Sequence, residues 1–295
     1  MVYPIEVKRV MDILRQEGRE AYLVGGCLRN ILMGKDPHDW DMTTSALPHE
    51  CAEIFSKEGF HVIETGIKHG TVTVIVDGTP LEITTYRIET GYSDNRHPDK
   101  VDFTDKVEDD LSRRDFTVNA IAYSPEKGFA DPFDGMADIK SKTIKCVGNP
   151  DKRFGEDALR ILRALRFSAV LGFEIDKETA ESIRRNYKLL RNISVERIFV
   201  EISKLLCGND ASRILREYED VFFFILPEIS PMKNCSQNHD RHIYDVWGHT
   251  VKAVENIDAI PEMRFAMLFQ MLPHRFDILQ IAYLKFLLNP LQFLN

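Results

Sequence analysis

The sequence lacks several features that would assign it to a large class of proteins. Its five cysteines are scattered and include no CxxC pair, which argues against a disulfide framework and against a zinc site. No apolar run approaches the roughly 18 residues that a transmembrane helix needs, and the first 20 residues hold no signal-peptide core. No internal repeat and no low-complexity tract occurs. These absences predict a protein of the reducing cytoplasm without a membrane partner.

What is present is an ordinary globular composition with an uneven distribution of charge. The 295 residues are 44% hydrophobic and 28% charged, which suits a sizeable core divided among two or three domains. The formal net charge is −8, and residues 1–150 account for it with 18 basic and 26 acidic side chains. Residues 151–220 hold 14 basic and 13 acidic side chains, so this middle segment can meet a phosphate backbone locally.

Hydrophobic periodicity predicts an α+β protein. Helices and strands mix without a regular βαβ alternation up to residue 150, which favours an α+β head over a doubly wound sheet. The later pattern is helical, and it predicts an all-helical neck over residues 151–220 and a partial helical body over 221–295. The pattern also predicts a polar loop over 88–107, a helix over 109–123 and one continuous helix over 156–171.

Two glycines and two aspartates near the start of the chain predict a phosphate-and-metal centre. Gly25 and Gly26 follow a predicted strand and precede a helix that carries Arg29, so a phosphate can approach the backbone N–H groups. Alternation along an extended strand would put Asp39 and Asp41 on one face, as ligands for Mg²⁺. The glycine pair alone is compatible with a simple tight turn, and the aspartate pair alone is compatible with a solvated strand end or loop. Their conjunction indicates nucleotidyl or phosphoryl transfer.

Glu82 is a third candidate carboxylate. It alternates with Leu81 and Ile83, so it would point away from the side that they bury, and a neighbouring strand would place it beside the two aspartates. Three carboxylates that hold Mg²⁺ can activate an attacking hydroxyl and stabilise a leaving pyrophosphate. The alternative is a solvated strand glutamate.

A cluster around Arg114 is a candidate for binding the ribose and the phosphates. Arg113, Arg114 and Asp115, with Asn119, place two cations and a carboxylate near a predicted helix start. Arg114 would pair with phosphate, and Asp115 would accept a hydrogen bond from a ribose hydroxyl. A capped helix with a solvated charge cluster is the alternative.

Asp157 and Arg160 are candidates for choosing the base. They stand three apart on the predicted continuous helix, so they would share one face. Their acceptor and donor match cytosine and adenine, which both show an amino group beside an acceptor nitrogen, whereas uracil and guanine would leave buried groups unpaired. Arg163 and Arg166 continue at three-residue intervals and would reach triphosphate or RNA. A plain intrahelical ion pair is the alternative.

In this order the motifs resemble those of the class II tRNA nucleotidyltransferases, the bacterial CCA-adding enzyme and poly(A) polymerase family. The resemblance covers about residues 20–207. The matching stretches are LVGGCLRN with DWD, LEITTYR, RRDFTVNAIAY, DPFDG, EDALRILRALRFSA and ISVERIFVEISKLL.

The resemblance implies a head of the nucleotidyltransferase type over residues 1–150 with a mixed or antiparallel sheet, and it also implies a reaction and a set of site residues. The reaction is attack of a tRNA 3′-hydroxyl on CTP or ATP, which adds C and A without a nucleic-acid template and releases pyrophosphate. Asp39, Asp41 and Glu82 would be catalytic and would hold Mg²⁺. The residues implied in nucleotide binding are Gly25, Gly26, Arg29, Arg114, Asp115, Asn119, Asp157, Arg160, Arg163 and Arg166.

Several alternatives stay open at this point. Within the family, the chain could be a CC-adding or A-adding specialist or a poly(A) polymerase. From another class, it could be a catalytically weak RNA-binding or nucleotide-binding protein.

The predicted loop over 88–107 resembles the flexible loop that, in this family, helps the nucleotide pocket change from accepting C to accepting A.

The C-terminal part departs from the family. Residues 239–250 resemble the opening of an HD phosphohydrolase-like module, but no later His-Asp pair follows before Asn295. We therefore expect no metal site there and a structural role for His242 and His249. The chain ends early for the family and residues 270–295 match none of its motifs, so we expect a shortened or frame-altered C-terminus.

Replacing Asp157 tests the base-selection hypothesis. Asp157→Ala should loosen the choice among bases more than it weakens triphosphate binding, because it removes the acceptor that reads the amino group. The measurement is incorporation of each labelled nucleotide into tRNA that lacks its 3′ end, beside the affinity for CTP. Unchanged selectivity would remove Asp157 from base selection.

Overall fold

The structure, a computed structural model, describes residues 2–37, 39–92, 98–235 and 245–271. The chain divides into two compact units. The first consists of Met1–Asp157 with Asp176–Thr179, and the second of Ala158–Ile175 with Ala180–Asn295. The further division of the second unit into neck and body stays a prediction.

The first unit is built on a mixed β-sheet. Its strands are β1 (Ala21–Val24), β2 (Asp41–Thr44), β3 (His61–Ile63), β4 (Thr71–Val76), β5 (Thr79–Thr85), β6 (Arg87–Thr90), β7 (Lys100–Phe103), β8 (Ala122–Ser124), β9 (Gly128–Ala130) and β10 (Thr143–Ile144). Within the described residues, seven of them form one sheet in the order β3-β4-β5-β2-β1-β8-β9. Neighbouring strands are antiparallel except for β2 and β5, which run parallel. The predicted α+β fold with a mixed sheet is confirmed.

The two faces of the sheet differ because strand side chains alternate. On β5, Leu81 and Ile83 are buried, and they join an apolar core that includes side chains of α1 (Ile5–Gln16) and α3 (Pro48–Lys57). The opposite face of β2 and β5 is polar and carries Asp41, Thr43, Glu82 and Thr84. The remaining helices of this unit are α2 (Gly26–Leu32), α4 (Val107–Ser112), α5 (Gly135–Ser141) and α6 (Pro150–Glu156), with 3₁₀ turns at Ile67–His69 and Thr117–Asn119.

The polar loop predicted over 88–107 is wrong in part, because β6 and β7 pair there as an antiparallel hairpin. Polar residues on both strands hid the pattern, since a small exposed hairpin has little apolar surface to bury. Residues 93–97 lie outside the described part of the chain.

The helix predicted over 109–123 is wrong beyond Ser112. The helix α4 ends at Ser112, and the chain beyond it pairs with a distant segment. The N–H of Thr117 donates to the carbonyl of Lys145 at 2.9 Å, and the N–H of Val147 donates to the carbonyl of Asp115 at 3.1 Å. Tertiary pairing therefore overrides the local helical pattern.

The continuous helix predicted over 156–171 is interrupted. The helix α6 ends at Glu156, Asp157 is extended (φ −139°, ψ 106°), and α7 (Leu159–Leu171) begins two residues later. Gly155 and Asp157 explain the break, because glycine has low helix propensity and aspartate competes for backbone hydrogen bonds. Asp157 and Arg160 therefore do not share one helix.

The second unit is helical. Its helices follow α7 as α8 (Lys177–Asn186), α9 (Val195–Leu206), α10 (Ala211–Glu217), α11 (Glu219–Ile225), α12 (Val246–Asn256) and α13 (Pro261–Phe269), with a short strand β11 (Glu174–Ile175). The helix α7 packs against α9 and α10, and α12 packs against α13. A Cβ at Gly208 would lie 2.6 Å from the backbone of Ala169, so this approach requires glycine. None of the helices in the described ranges combines the length and apolarity needed to cross a bilayer.

A carboxylate lies buried in the first unit, next to the polar face of the sheet. Asp110, on α4, has 0% exposure. Its Oδ1 accepts hydrogen bonds from Nε and Nη2 of Arg113 at 2.9 and 2.6 Å. Its Oδ2 accepts from Nη2 of Arg114 at 3.2 Å and from Oγ1 of Thr43 at 3.3 Å. Burial by itself would raise the pKa of Asp110, but the charges and hydrogen bonds of the two guanidinium groups outweigh it and lower the pKa.

Asp110→Asn should therefore destabilise the protein by about 3 kcal/mol at neutral pH, because it takes from the partly buried guanidinium groups of Arg113 and Arg114 the carboxylate that they share. Since the folded state lowers the pKa of Asp110, its stabilisation is present above the usual carboxyl pKa of about 4 and is lost as the pH falls through the folded-state value. Urea unfolding at neutral and acidic pH measures this. The difference between wild type and variant should narrow toward acidic pH.

Asp102→Asn is the matched control for that experiment. Asp102 pairs with Lys100 at 2.7 Å on β7, and the two side chains are 49% and 69% exposed. An exposed pair contributes about 1 kcal/mol or less, so this variant should unfold nearly as wild type does. A pH-independent deficit in Asp110→Asn would contradict the assignment of its charge to stability.

Candidate active site

Parallel pairing of β2 with β5 brings two of the predicted carboxylates together. Asp41 stands directly opposite Glu82 in the register of the two strands. The sequence predicts this juxtaposition from alternation, and the structure shows it. Asp39 differs from the prediction, since β2 begins only at Asp41 and Asp39 lies in the bend before the strand.

Asp39 and Glu82 nevertheless both act on Asp41. Burial raises the pKa of Asp41; Arg114 opposes the shift, whereas the charges of Glu82 and Asp39 add to it. A cation would relieve this crowding of like charges. The set of carboxylate oxygens also suits Mg²⁺, a hard cation that prefers oxygen ligands.

These carboxylates do not form a closed metal cage. Within the described ranges, no group of three or more His, Cys, Asp and Glu side chains is placed to hold a metal ion by itself. Mg²⁺ commonly takes one or two carboxylates and completes its coordination with substrate phosphates and water. An open pair of carboxylates beside a phosphate site is compatible with that mode.

The backbone at Gly25 lies close to Asp41 and to Arg114. Gly25 lies at φ 77° and ψ −140°, a conformation that side chains disfavour, and it immediately precedes α2. A Cβ at this position would lie 3.2 Å from Nη1 of Arg114 and 3.5 Å from Oδ2 of Asp41. Glycine thus lets the backbone, a guanidinium and a carboxylate approach one another closely. Gly26 follows as the first residue of α2.

Arg114 has an unused hydrogen-bond donor. Its Nη2 donates to the buried Asp110, whereas its Nε is buried and has no partner in the described part of the chain. A buried N–H without an acceptor is costly, and a phosphate oxygen is a strong acceptor for a guanidinium group. Nη1 of the same guanidinium group borders Gly25, so this group is placed to meet an anion there.

Arg29, Asn119 and Asp115 meet in a chain of buried hydrogen bonds. Nη1 of Arg29 donates to Oδ1 of Asn119 at 2.7 Å, and Nδ2 of Asn119 donates to Oδ1 of Asp115 at 3.0 Å. The contacts tie α2 to the 3₁₀ turn at Thr117–Asn119. The structure thus brings these three predicted residues together, and their roles toward a nucleotide stay predictions.

Arg160, Arg163 and Arg166 lie on α7 in the second unit. Arg166 donates from Nε to Oε2 of Glu201 at 2.6 Å, and Nη1 of Arg163 lies 4.0 Å from Oε1 of the same glutamate. Glu201, on α9, is 6% exposed. These pairs join α7 to α9. Asp157 belongs to the first unit, and its pairing with Arg160 stays a prediction.

Asp110 and Thr43 are not among the residues predicted from the sequence, although a signal for one of them exists. Asp110 precedes Arg113 by three residues and Arg114 by four, the spacing at which helical side chains meet. Thr43 offers no comparable signal. Of the C-terminal candidates, His242 and residues 272–295 lie outside the described residues, and His249 lies on α12.

Comparisons with known proteins find similar domains in two regions of the chain. Residues 21–145 match the family described as the poly A polymerase head domain, and residues 172–232 match "Probable RNA and SrmB- binding site of polymerase A". A CCA-adding enzyme of Lactobacillus delbrueckii subsp. bulgaricus is 47% identical over 209 residues, which are 71% of this chain and 52% of that protein. The chain thus spans about half the length of the curated relatives it matches.

Solved structures show the same likeness. The crystal structure of the Bacillus stearothermophilus CCA-adding enzyme in complex with CTP has a TM-score of 0.75 at 35% identity, over 90% of this chain and 61% of that one. A tRNA nucleotidyltransferase complexed with a primer tRNA and an incoming ATP analog has a TM-score of 0.67 at 27% identity, over 90% of this chain and 77% of that one.

The resemblance read from the motifs is confirmed by both matched regions and by these relatives. The chain belongs to the family of the poly A polymerase head domain, together with these CCA-adding enzymes.

Proposed function

We propose that the protein adds C and A nucleotides to the 3′ end of tRNA from CTP and ATP, without a nucleic-acid template, and releases pyrophosphate. The observation that carries the proposal is the pairing of Asp41 with Glu82 on one face of the sheet, with Gly25 and Nη1 of Arg114 next to Asp41. The names of the relatives support the substrates: a CCA-adding enzyme, one in complex with CTP, and a tRNA nucleotidyltransferase with a primer tRNA and an ATP analog. A cytoplasmic location stays a prediction.

The roles of the chain's own residues follow from their positions. The backbone at Gly25 and Gly26 admits the triphosphate, and Arg114 donates from Nη1, which borders Gly25, to a phosphate oxygen while Asp110 holds its Nη2. The attacking 3′-oxygen forms a bond to the α-phosphorus as the bond to the β-phosphate oxygen breaks, and pyrophosphate leaves. Positioning and charge stabilisation dominate such transfers.

Mg²⁺ is the proposed cofactor, with Asp39, Asp41 and Glu82 as the residues that would hold it. When bound, it would lower the pKa of the attacking hydroxyl and neutralise charge on the phosphates. Burial, and after it the charges of Glu82 and Asp39, raise the pKa of Asp41 despite Arg114, and a cation there would favour the charged carboxylate. Glu82 is exposed and can take part without a change of the sheet.

Nucleotide incorporation tests the proposed function. The full chain is incubated with Mg²⁺, with tRNA that lacks its 3′ CCA end, and with each labelled nucleotide separately and in pairs. We expect incorporation of C and A but not of U or G. Incorporation of C alone or of A alone would favour a specialist, and a long A tail would favour a poly(A) polymerase. Binding of CTP without incorporation would favour a catalytically weak binding protein.

Replacement of Asp41 tests the cation assignment. Asp41→Ala and Asp39→Ala should abolish incorporation, a loss of at least about 100-fold, because the cation loses its anchors. In the presence of EDTA, the Asp41→Ala variant should also be at least as resistant to unfolding by urea as wild type, since burial penalises the charge of Asp41. Asp77→Asn is the matched control, as Asp77 lies in the β4–β5 turn with φ 50° and is tolerant of asparagine. Retained incorporation in both alanine variants would refute the assignment.

A further inference from the structure

Glu89, on β6, is a buried acid that the proposed reaction does not use. Its side chain is 8% exposed. Its Oε1 accepts hydrogen bonds from Nε of Arg87 at 2.8 Å and from Nη1 of Arg113 at 3.1 Å, and its Oε2 accepts from the hydroxyl of Tyr92 at 2.7 Å. A surface ion pair would leave such a carboxylate open to water. The enclosure of Glu89 points to a definite task.

The contacts of Glu89 continue to the candidate active site. Arg113 bridges two carboxylates, with Nη1 on Glu89 and with Nε and Nη2 on Oδ1 of Asp110. Oδ2 of Asp110 accepts a hydrogen bond from Nη2 of Arg114, and Nη1 of Arg114 borders Gly25. Three arginines and two acids thus form one chain, Arg87–Glu89–Arg113–Asp110–Arg114. Its formal charge is one positive unit, and Arg114 is the end that faces the site.

We propose that Glu89 is a positioning residue for Arg114. Nη1 of Arg113 donates to Glu89, and Nε and Nη2 of Arg113 both donate to Oδ1 of Asp110. In this orientation Oδ2 of Asp110 can accept the hydrogen bond from Arg114. Without the charge of Glu89, the guanidinium of Arg113 can rotate so that two of its N–H groups donate to the two oxygens of Asp110, which is the favoured bidentate geometry. Arg114 then loses its anchor.

The inference rests on the proposed function, since Arg114 is assigned there to the phosphates of the nucleotide. It adds a distinct expectation. CTP and ATP share the triphosphate, so a misplaced Arg114 weakens both by the same factor and leaves the choice between bases unchanged. A residue that shaped the base pocket would change their ratio instead.

Glu89→Gln tests the proposal, because it removes the charge and keeps the shape. Equilibrium binding of CTP and of ATP to the full chain in Mg²⁺ should weaken about 5- to 10-fold, equally for the two nucleotides. Asp102→Asn is the matched control, since it breaks an exposed ion pair on the partner strand β7 of the same hairpin and should leave both affinities unchanged. Unchanged affinities in Glu89→Gln, or a loss for one nucleotide alone, would overturn the proposal.

A double-mutant cycle separates positioning from a general loss of structure. Arg114→Ala should weaken binding, and adding Glu89→Gln to it should cost nothing further, because the group that Glu89 positions is gone. An equal loss in both backgrounds would show that Glu89 acts without Arg114. Wild-type protein that binds neither CTP nor ATP would refute the proposed function itself, whereas normal binding by wild type and Glu89→Gln alike would refute only the role of Glu89.

Discussion

The charge of Asp110 constrains the whole head, because no water reaches it and the protein itself must neutralise it. An isolated ion in such a place would cost several kcal/mol, so its partners are fixed as firmly as a core side chain. They come from two directions: Arg113 and Arg114 from the turn that ends α4, and Thr43 from the central strand β2. Neutralising one buried carboxylate thus fixes the end of a helix against a strand. The same contacts hold the guanidinium that borders Gly25.

The sheet imposes a second constraint next to the first. The pair β2–β5 is parallel, and its register sets Asp41 and Glu82 at the same level on the polar face. Thr43 lies two residues after Asp41, so it points to the same side and reaches Asp110. Asp41 and Glu82 are therefore held by the backbone hydrogen bonds of the strands, whereas Arg114 is held by a side chain. Repulsion among the acids cannot relax by movement of the strands, and this makes the site receptive to a cation.

Period-2 alternation explains which parts of this arrangement the sequence could predict. It places Glu82 on the polar face because Leu81 and Ile83 are apolar, and the structure agrees. The prediction of a helix over 109–123 had no such support, since its apolar residues fit a helical period and a strand period equally well. The pairing of residues 115–117 with residues 145–147 leaves no signal in the local sequence. Contacts four residues apart, such as Asp110 with Arg114, can be found by spacing. The contact of Glu89 with Arg113 spans 24 residues and cannot, because no periodicity connects a hairpin strand to the end of a helix.

The acidity of residues 1–150 does not oppose an anionic ligand, because overall charge and local charge act over different distances. Exposed charges are screened beyond about 10 Å at ordinary ionic strength, whereas the buried pairs around Arg113 and Arg114 are screened much less. A ligand at Gly25 therefore meets chiefly Arg114 and the carboxylates of Asp41 and Glu82. Those carboxylates would repel a bare triphosphate and would attract one that carries a divalent cation. Placing the cationic and anionic groups side by side thus favours a metal-bound triphosphate over phosphate in general, which an excess of arginines alone would not achieve.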